Sequence, residues 1–147
     1  ALGGWYVLVF WVFAFFVGAA GWRGVGGLGV LRRPCRYCGE RRLATAAELQ
    51  YLGRRADEKL QVVQVHGCEH CHGTGYRGRL ALHELIVFDK RMQQLLVNGA
   101  DEAELLREAR KQGWRSLYAD AVDKVLQGAT RVEELWRVGI TGEADYA

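Results

Sequence analysis

The chain has 147 residues, half of them hydrophobic, with 20 Lys and Arg against 17 Asp and Glu for a net charge of +3. That length suits one domain or two small ones. A charge so near balance gives no electrostatic case for nucleic acid as a partner. Four cysteines in two C-x-x-C pairs fit a reduced, cytoplasmic compartment and a bound metal, the other reading being an exported chain with two disulfides. The first residue is Ala rather than Met, as in a fragment or a processed chain.

Residues 1–22 (ALGGWYVLVFWVFAFFVGAAGW) carry no charge, and arginines follow at 23, 32 and 33. A membrane-spanning helix needs roughly 20 apolar residues, flanked by interfacial aromatics such as Trp5 and Trp22. Cytoplasmic arginines would then place the remainder inside. A buried piece of a larger core and a misread frame are the competing readings. No basic stretch precedes the apolar run, which argues against a signal peptide. Gly24–Gly29 (GVGGLG) reads as a linker, so residues 1–30 are taken as an apolar segment, with helix as one option, plus a Gly-rich connection.

The rest is well punctuated. Thr45-Ala-Ala-Glu48 is a capping-box pattern that predicts a short helix carrying Leu49 and Leu52. Leu60–Val65 alternates and is β-branched, which predicts a strand. Gly67–Gly78 predicts a glycine-punctuated loop, and Leu80–Phe88 a second strand. Four helices should follow. Asp89 caps the first, which ends at Asn98-Gly99. Asp101–Glu104 starts the second, which stops near Gly113. Ser116 starts the third, which stops at Gly128. Thr130-Arg-Val-Glu133 caps the last, which ends by Gly139. The expected class is α+β: a small tetracysteine subdomain with two short strands over 31–88, a helical subdomain over 89–140, and a tail over 141–147.

The chemistry lies in the cysteines. Cys35-x-x-Cys38 and Cys68-x-x-Cys71 are separated by residues 39–67. Two intervening residues let a tight turn aim both sulfurs at one ion, and two such knuckles complete a thiolate tetrahedron around zinc. Four thiolates close the shell, so the metal would hold structure and not activate water. A tetrathiolate zinc carries a formal charge of −2. Arg32, Arg33, Arg36, Arg41 and Arg42 would offset that charge and donate to sulfur, or else meet phosphate, lipid headgroups or nucleic acid. His66, His70 and His72 surround the second pair as outer-shell or solvent-facing groups. Neither pair sits in the βαβ setting of a thioredoxin-like redox motif.

No catalytic machinery is visible. There is no G-x-x-x-x-G-K-[ST] phosphate loop, and no G-x-G-x-x-G at a strand-to-helix turn. His83 and Glu84 are neighbours in a strand and point to opposite faces. The chain by itself is therefore expected to catalyse nothing.

Gly67–Leu85 (GCEHCHGTGYRGRLALHEL) resembles the hallmark of the ATPases that drive type II secretion and type IV pilus assembly. The matching positions are Cys68, Cys71, Gly73, Thr74, Gly75, Tyr76, Gly78, Arg79, Glu84 and Leu85. Basic residues precede the upstream pair, as Arg32-Arg33-Pro-Cys35 does here. Downstream, Ala100-Asp-Glu-Ala-Glu104-Leu, Gly113-Trp-Arg-Ser-Leu117 and Gly128-Ala-Thr130-Arg-Val-Glu133-Glu-Leu135 continue the pattern, so the likeness covers about residues 31–140.

The resemblance implies the C-terminal zinc-binding part of a hexameric, RecA-like cytoplasmic ATPase. Such a motor is peripheral to the inner membrane, works with its sister subunits and an inner-membrane platform, and binds ATP and Mg in a region not covered here. Residues 1–30 depart from that family, in which no spanning segment is expected. Two other functions compete: a membrane-anchored zinc protein, and a J-protein-like zinc module that binds unfolded chains, suggested by Cys68-Glu-His-Cys71-His-Gly73-Thr-Gly75.

Overall fold

A computed structural model describes residues 24–140 and 142. The apolar stretch 1–22 and most of the expected tail lie outside the described residues. Among the described residues, four strands and five α-helices follow in the order β1 (Gly24–Pro34), β2 (Gly39–Leu43), α1 (Ala46–Tyr51), β3 (Gln61–Val65), β4 (Tyr76–Val87), α2 (Lys90–Val97), α3 (Glu102–Lys111), α4 (Leu117–Leu126) and α5 (Val132–Val138). The class is α+β. Among the described residues no helix is long and apolar enough to cross a membrane.

The strands form two pairs, β1 with β4 and β2 with β3. The second pair is antiparallel, with Gly39 opposite Val65 and Leu43 opposite Gln61. This pairing has one consequence for the site. The turn between β1 and β2 holds the first cysteine pair, and the turn between β3 and β4 holds the second, so the two turns meet. Two strands were not anticipated. Gly24–Gly29 forms the first part of β1: Gly29 lies against Leu82 and Leu117, and at Gly27 a Cβ would stand 2.9 Å from the Glu84 side chain. In β2, Arg41 and Arg42 pair opposite Val63 and Val62.

Helix starts follow the capping chemistry. Thr45 and Glu48 form the reciprocal box of α1, and Asp101 and Glu104 that of α3. Asp89 and Ser116 cap α2 and α4 through the amides of Met92 and Ala119. The last helix differs from expectation. Its N-cap is Arg131, with no side-chain bond, because the buried Thr130 hydroxyl donates instead to the Arg32 carbonyl at 3.0 Å.

The described residues fall into two compact units, one of residues 27–84 with 115–140 and 142, the other centred on 85–114. In the larger unit, Leu31, Val62, Leu80 and Leu82 from the strands pack with Leu52, Ala121, Val125, Val132 and Leu135 from around the helices. Burying such side chains stabilises by about 1.5–3 kcal/mol each, and it makes α4 and α5 part of the core that carries the cysteine turns. In the smaller unit α2 and α3 pack as a pair, burying Met92, Leu106 and Ala109.

Beneath that core lies a fully buried carboxylate. Glu134 accepts from the Arg32 backbone N–H (2.9 Å), from Arg32 Nε and Nη2 (3.0 and 2.7 Å), and from Arg137 Nη2 (2.9 Å). Burial alone would push this carboxyl up, but the arginine bonds outweigh it and hold the group down at about 2.

Candidate metal centre

Strand β1 ends at Pro34 and delivers Cys35, whose amide donates to the Gly75 carbonyl at 2.8 Å. The chain then turns through Arg36 and Tyr37 so that Cys38 returns its sulfur toward Cys35. On the other side β3 ends at Val65, Gly67 and Cys68 follow, and a short 3₁₀ turn, Glu69–Cys71, swings Cys71 back. The return into β4 needs Gly75 at φ +81°, where a Cβ would stand 2.5 Å from Val65 Cγ2.

The result is a compact group of sulfurs. All four Sγ atoms, from Cys35, Cys38, Cys68 and Cys71, lie within 4.8 Å of one another, and none is in a disulfide. The separations are 3.8 Å for Cys35–Cys68, 3.9 Å for Cys38–Cys71 and 3.7 Å for Cys68–Cys71. A regular tetrahedron with metal–sulfur bonds of about 2.3 Å has sulfur–sulfur edges of about 3.8 Å, so the spacing fits such an ion.

The backbone favours thiolates. The amides of Cys68 and Gly75 donate to Cys71 Sγ at 3.1 and 3.2 Å. Burial pushes the Cys71 thiol up, yet these N–H groups bring it down to about 6. Cys35 is likewise lowered against its burial, by the amides of Tyr37 and Cys38. Burial pushes Cys68 up to about 11, as expected for a group sharing its proton with close neighbours. Four thiols this close cannot all ionise without a cation among them.

The sequence profile of the family described as Type II/IV secretion system protein matches residues 27–137. The chain belongs to that family. It is 40% identical over 109 residues to Type II secretion system protein E of Pseudomonas aeruginosa, covering 74% of this chain. It is 36% identical over 109 residues to the Type IV pilus assembly ATPase PilB of Thermus thermophilus, covering 72%. With Type II secretion system ATPase E of Vibrio cholerae the identity is 33% over 109 residues, covering 74%. The chain spans 22%, 12% and 22% of the lengths of these relatives.

In this type II/IV secretion family member, the arginines around the first knuckle are not donors to sulfur. Arg32 binds Glu134, and Arg42 binds Glu48 at 2.6 and 2.8 Å. Arg41 reaches the carbonyls of Leu126 and Gln127 at 3.2 and 2.7 Å, capping the C-terminal end of α4, where a cation meets the negative end of the helix. Arg33 Nε donates to the Arg79 carbonyl, and the Arg36 guanidinium lies 5.0 Å from the Tyr37 ring centre. The hydrogen bonds that reach Cys35 and Cys71 come from backbone amides rather than from these arginines.

The histidines stay outside the sulfur cluster. His66 Nε2 lies 3.1 Å from Glu40 Oε2, His70 stacks on Tyr37 at 3.8 Å, and His72 takes a left-handed turn at φ +54°. Glu84, a member of the hallmark segment, accepts from the Leu117 amide at 2.8 Å and so meets the start of α4. Sequence reading placed Glu84 on a strand face without finding this role; Ser116, which opens α4, was the available signal.

Proposed function

We propose that this chain is the zinc-binding part of an ATPase that powers type II protein secretion or type IV pilus assembly. The observation that carries the reading is one span of sequence. The family match over 27–137 takes in both cysteine turns, and the four sulfurs it delivers lie within 4.8 Å.

Cys35, Cys38, Cys68 and Cys71 would hold the ion. Zinc suits four sulfur donors in a tetrahedral arrangement, and it would cross-link the β1–β2 turn to the β3–β4 turn. With its shell closed by thiolates, the ion supplies folding free energy and no Lewis-acid chemistry. Phosphoryl transfer, with ATP and Mg, belongs to other parts of such a motor. The chain's role is then that of an accessory element in a hexameric cytoplasmic ATPase docked at the inner membrane. Its partners are its sister subunits and an inner-membrane platform.

Two experiments test the reading. Elemental analysis of the purified chain should give about one zinc per molecule. Residues 27–137 should also replace the matching segment of the Pseudomonas aeruginosa type II secretion protein E and preserve secretion. The same exchange carrying Cys38→Ser should abolish it. A folded, zinc-loaded exchange that secretes nothing would sink the motor assignment.

A further inference from the structure

The four sulfurs are unequally shielded. Cys35 is fully buried and Cys71 nearly so, whereas Cys38 and Cys68 are only partly covered. An open concavity of about 540 Å³ lies against the second knuckle, lined by His66, Gly67, Cys68, Glu69, His72 and Gly73. Cys68 is the one cysteine of the four in that lining. A volume of this order admits small polar solutes, since a water occupies roughly 30 Å³. The two imidazoles and the Glu69 carboxylate place polar groups on its wall.

We infer that Cys68 is an oxidant-sensitive ligand: hydrogen peroxide entering this concavity converts Cys68 and Cys71 to a disulfide and so releases the metal. The inference rests on the zinc reading above. Bound zinc would keep Cys68 a thiolate although burial raises the free thiol, and its sulfur then donates an electron pair to one peroxide oxygen. The S–O bond forms, the O–O bond breaks and hydroxide leaves, giving a sulfenic acid. The Cys71 sulfur then attacks the Cys68 sulfur. An S–S bond forms, the S–O bond breaks and a second hydroxide leaves. Two thiolates have lost two electrons, and one peroxide has become two hydroxides, which water protonates.

Geometry selects Cys71 as the second sulfur. It lies 3.7 Å from Cys68 Sγ and must close to about 2.05 Å. Cys68 is the N-cap of the 3₁₀ turn that ends at Cys71, and its amide already donates to Cys71 Sγ at 3.1 Å, so the contraction is local. Bonding to Cys35 at 3.8 Å would instead pull two separate turns together and engage a fully buried sulfur. A disulfide within the second knuckle leaves only Cys35 and Cys38 as ligands, too few to hold zinc in a closed shell.

The test uses the full chain, with its zinc content measured first. Peroxide is added below stoichiometry, a chromophoric chelator reads released zinc, and dimedone traps sulfenic acid. Alkylation and peptide mass mapping then locate each modified cysteine. The expected result is a dimedone adduct at Cys68 and a Cys68–Cys71 disulfide appearing with about one zinc released per bridge. Dithiothreitol and zinc should reverse both. First modification at Cys38, or a Cys35–Cys68 bridge, would overturn the inference. Untreated protein without zinc would overturn the metal reading itself. His72→Gly supplies a second measurement, because His72 already sits at φ +54°, where glycine is at ease. Removing the imidazole widens the concavity and should speed zinc release by peroxide; an unchanged or slower release would show that the concavity is not the route.

Discussion

Replacing Glu134 by Gln keeps the side-chain size and removes one buried negative charge. In the wild type that carboxylate is about 1% exposed and is held by Arg32 and Arg137, whose own side chains are 45% and 46% exposed. Its titration falls from 4.5 to about 2 on folding, which at ~1.4 kcal/mol per pH unit corresponds to about 3 kcal/mol at neutral pH. Removing one member of a fully buried pair costs about 3–5 kcal/mol, but here both arginines can rehydrate, so about 2–3 kcal/mol is expected. Urea unfolding of the two proteins at pH 7 measures the gap. Because the folded carboxyl titrates below its unfolded value, its contribution is complete above about 4.5 and is lost as pH falls toward about 2. The gap should therefore narrow to roughly half by pH 3. Both proteins are compared with excess chelator at every pH, so that loss of metal from the sulfurs in acid does not enter the difference. A gap below about 1 kcal/mol at pH 7, or one that does not change with pH, would refute the assigned role of Glu134.

Further predictions concern the knuckles and caps. Cys35→Ser or Cys71→Ser should abolish metal binding and lower the unfolding midpoint, since structural zinc supplies folding free energy, of order 10 kcal/mol in the smallest sites; a transition that survives strong chelation unchanged would contradict this. Gly75→Ala should destabilise by about 2–4 kcal/mol, because the site needs φ +81° and the new Cβ meets Val65 Cγ2 at 2.5 Å; Val65→Ala should recover the steric part only. Thr45→Ala should cost about 1 kcal/mol in thermal unfolding through loss of the bond from the Glu48 amide. The purified chain should show no ATP hydrolysis in a coupled phosphate-release assay, and measurable turnover would require a nucleotide site that its residues do not suggest.

Local signals explain what could be read in advance. Thr45, Asp89, Asp101 and Ser116 each announce a helix start through their own side chains, and each does cap the helix that follows. Thr130 carries the same signal and fails, because a hydroxyl that is fully buried can be claimed by a distant carbonyl, here that of Arg32. The missed strands have the same cause. In β1, glycines read as linker because their usual meaning is flexibility. Their use here depends on Glu84, Leu82 and Leu117, which come close only in the folded chain. In β2, two adjacent arginines conceal a strand whose pairing with Val62 and Val63 is set by the partner.

The site divides along the same line. C-x-x-C spacing is a local geometric statement, since two residues between cysteines allow a tight turn, and within the second pair the sulfurs do converge to 3.7 Å. Charge is not local in this sense. The five arginines stand beside the first cysteine pair in sequence, and proximity suggested a counter-charge for the metal. In space, a guanidinium reaches several ångströms and seeks the best-matched acceptor. Arg32 finds Glu134 at 2.7 Å, 102 residues away, and Arg41 finds Gln127 at 2.7 Å, 86 residues away. Arg32 gains charge-assisted bonds to a desolvated carboxylate, and Arg41 the free carbonyls at the negative end of α4. The arginines thus tie α4 and α5 to the strands that bear the knuckles. A metal bound by the sulfurs and the salt bridge at Glu134 would then brace the same core from the same end of β1, where Arg32 stands three positions before Cys35. On that reading, Glu134→Gln should also weaken zinc retention against a competing chelator. Retention equal to wild type would show that the two are energetically independent.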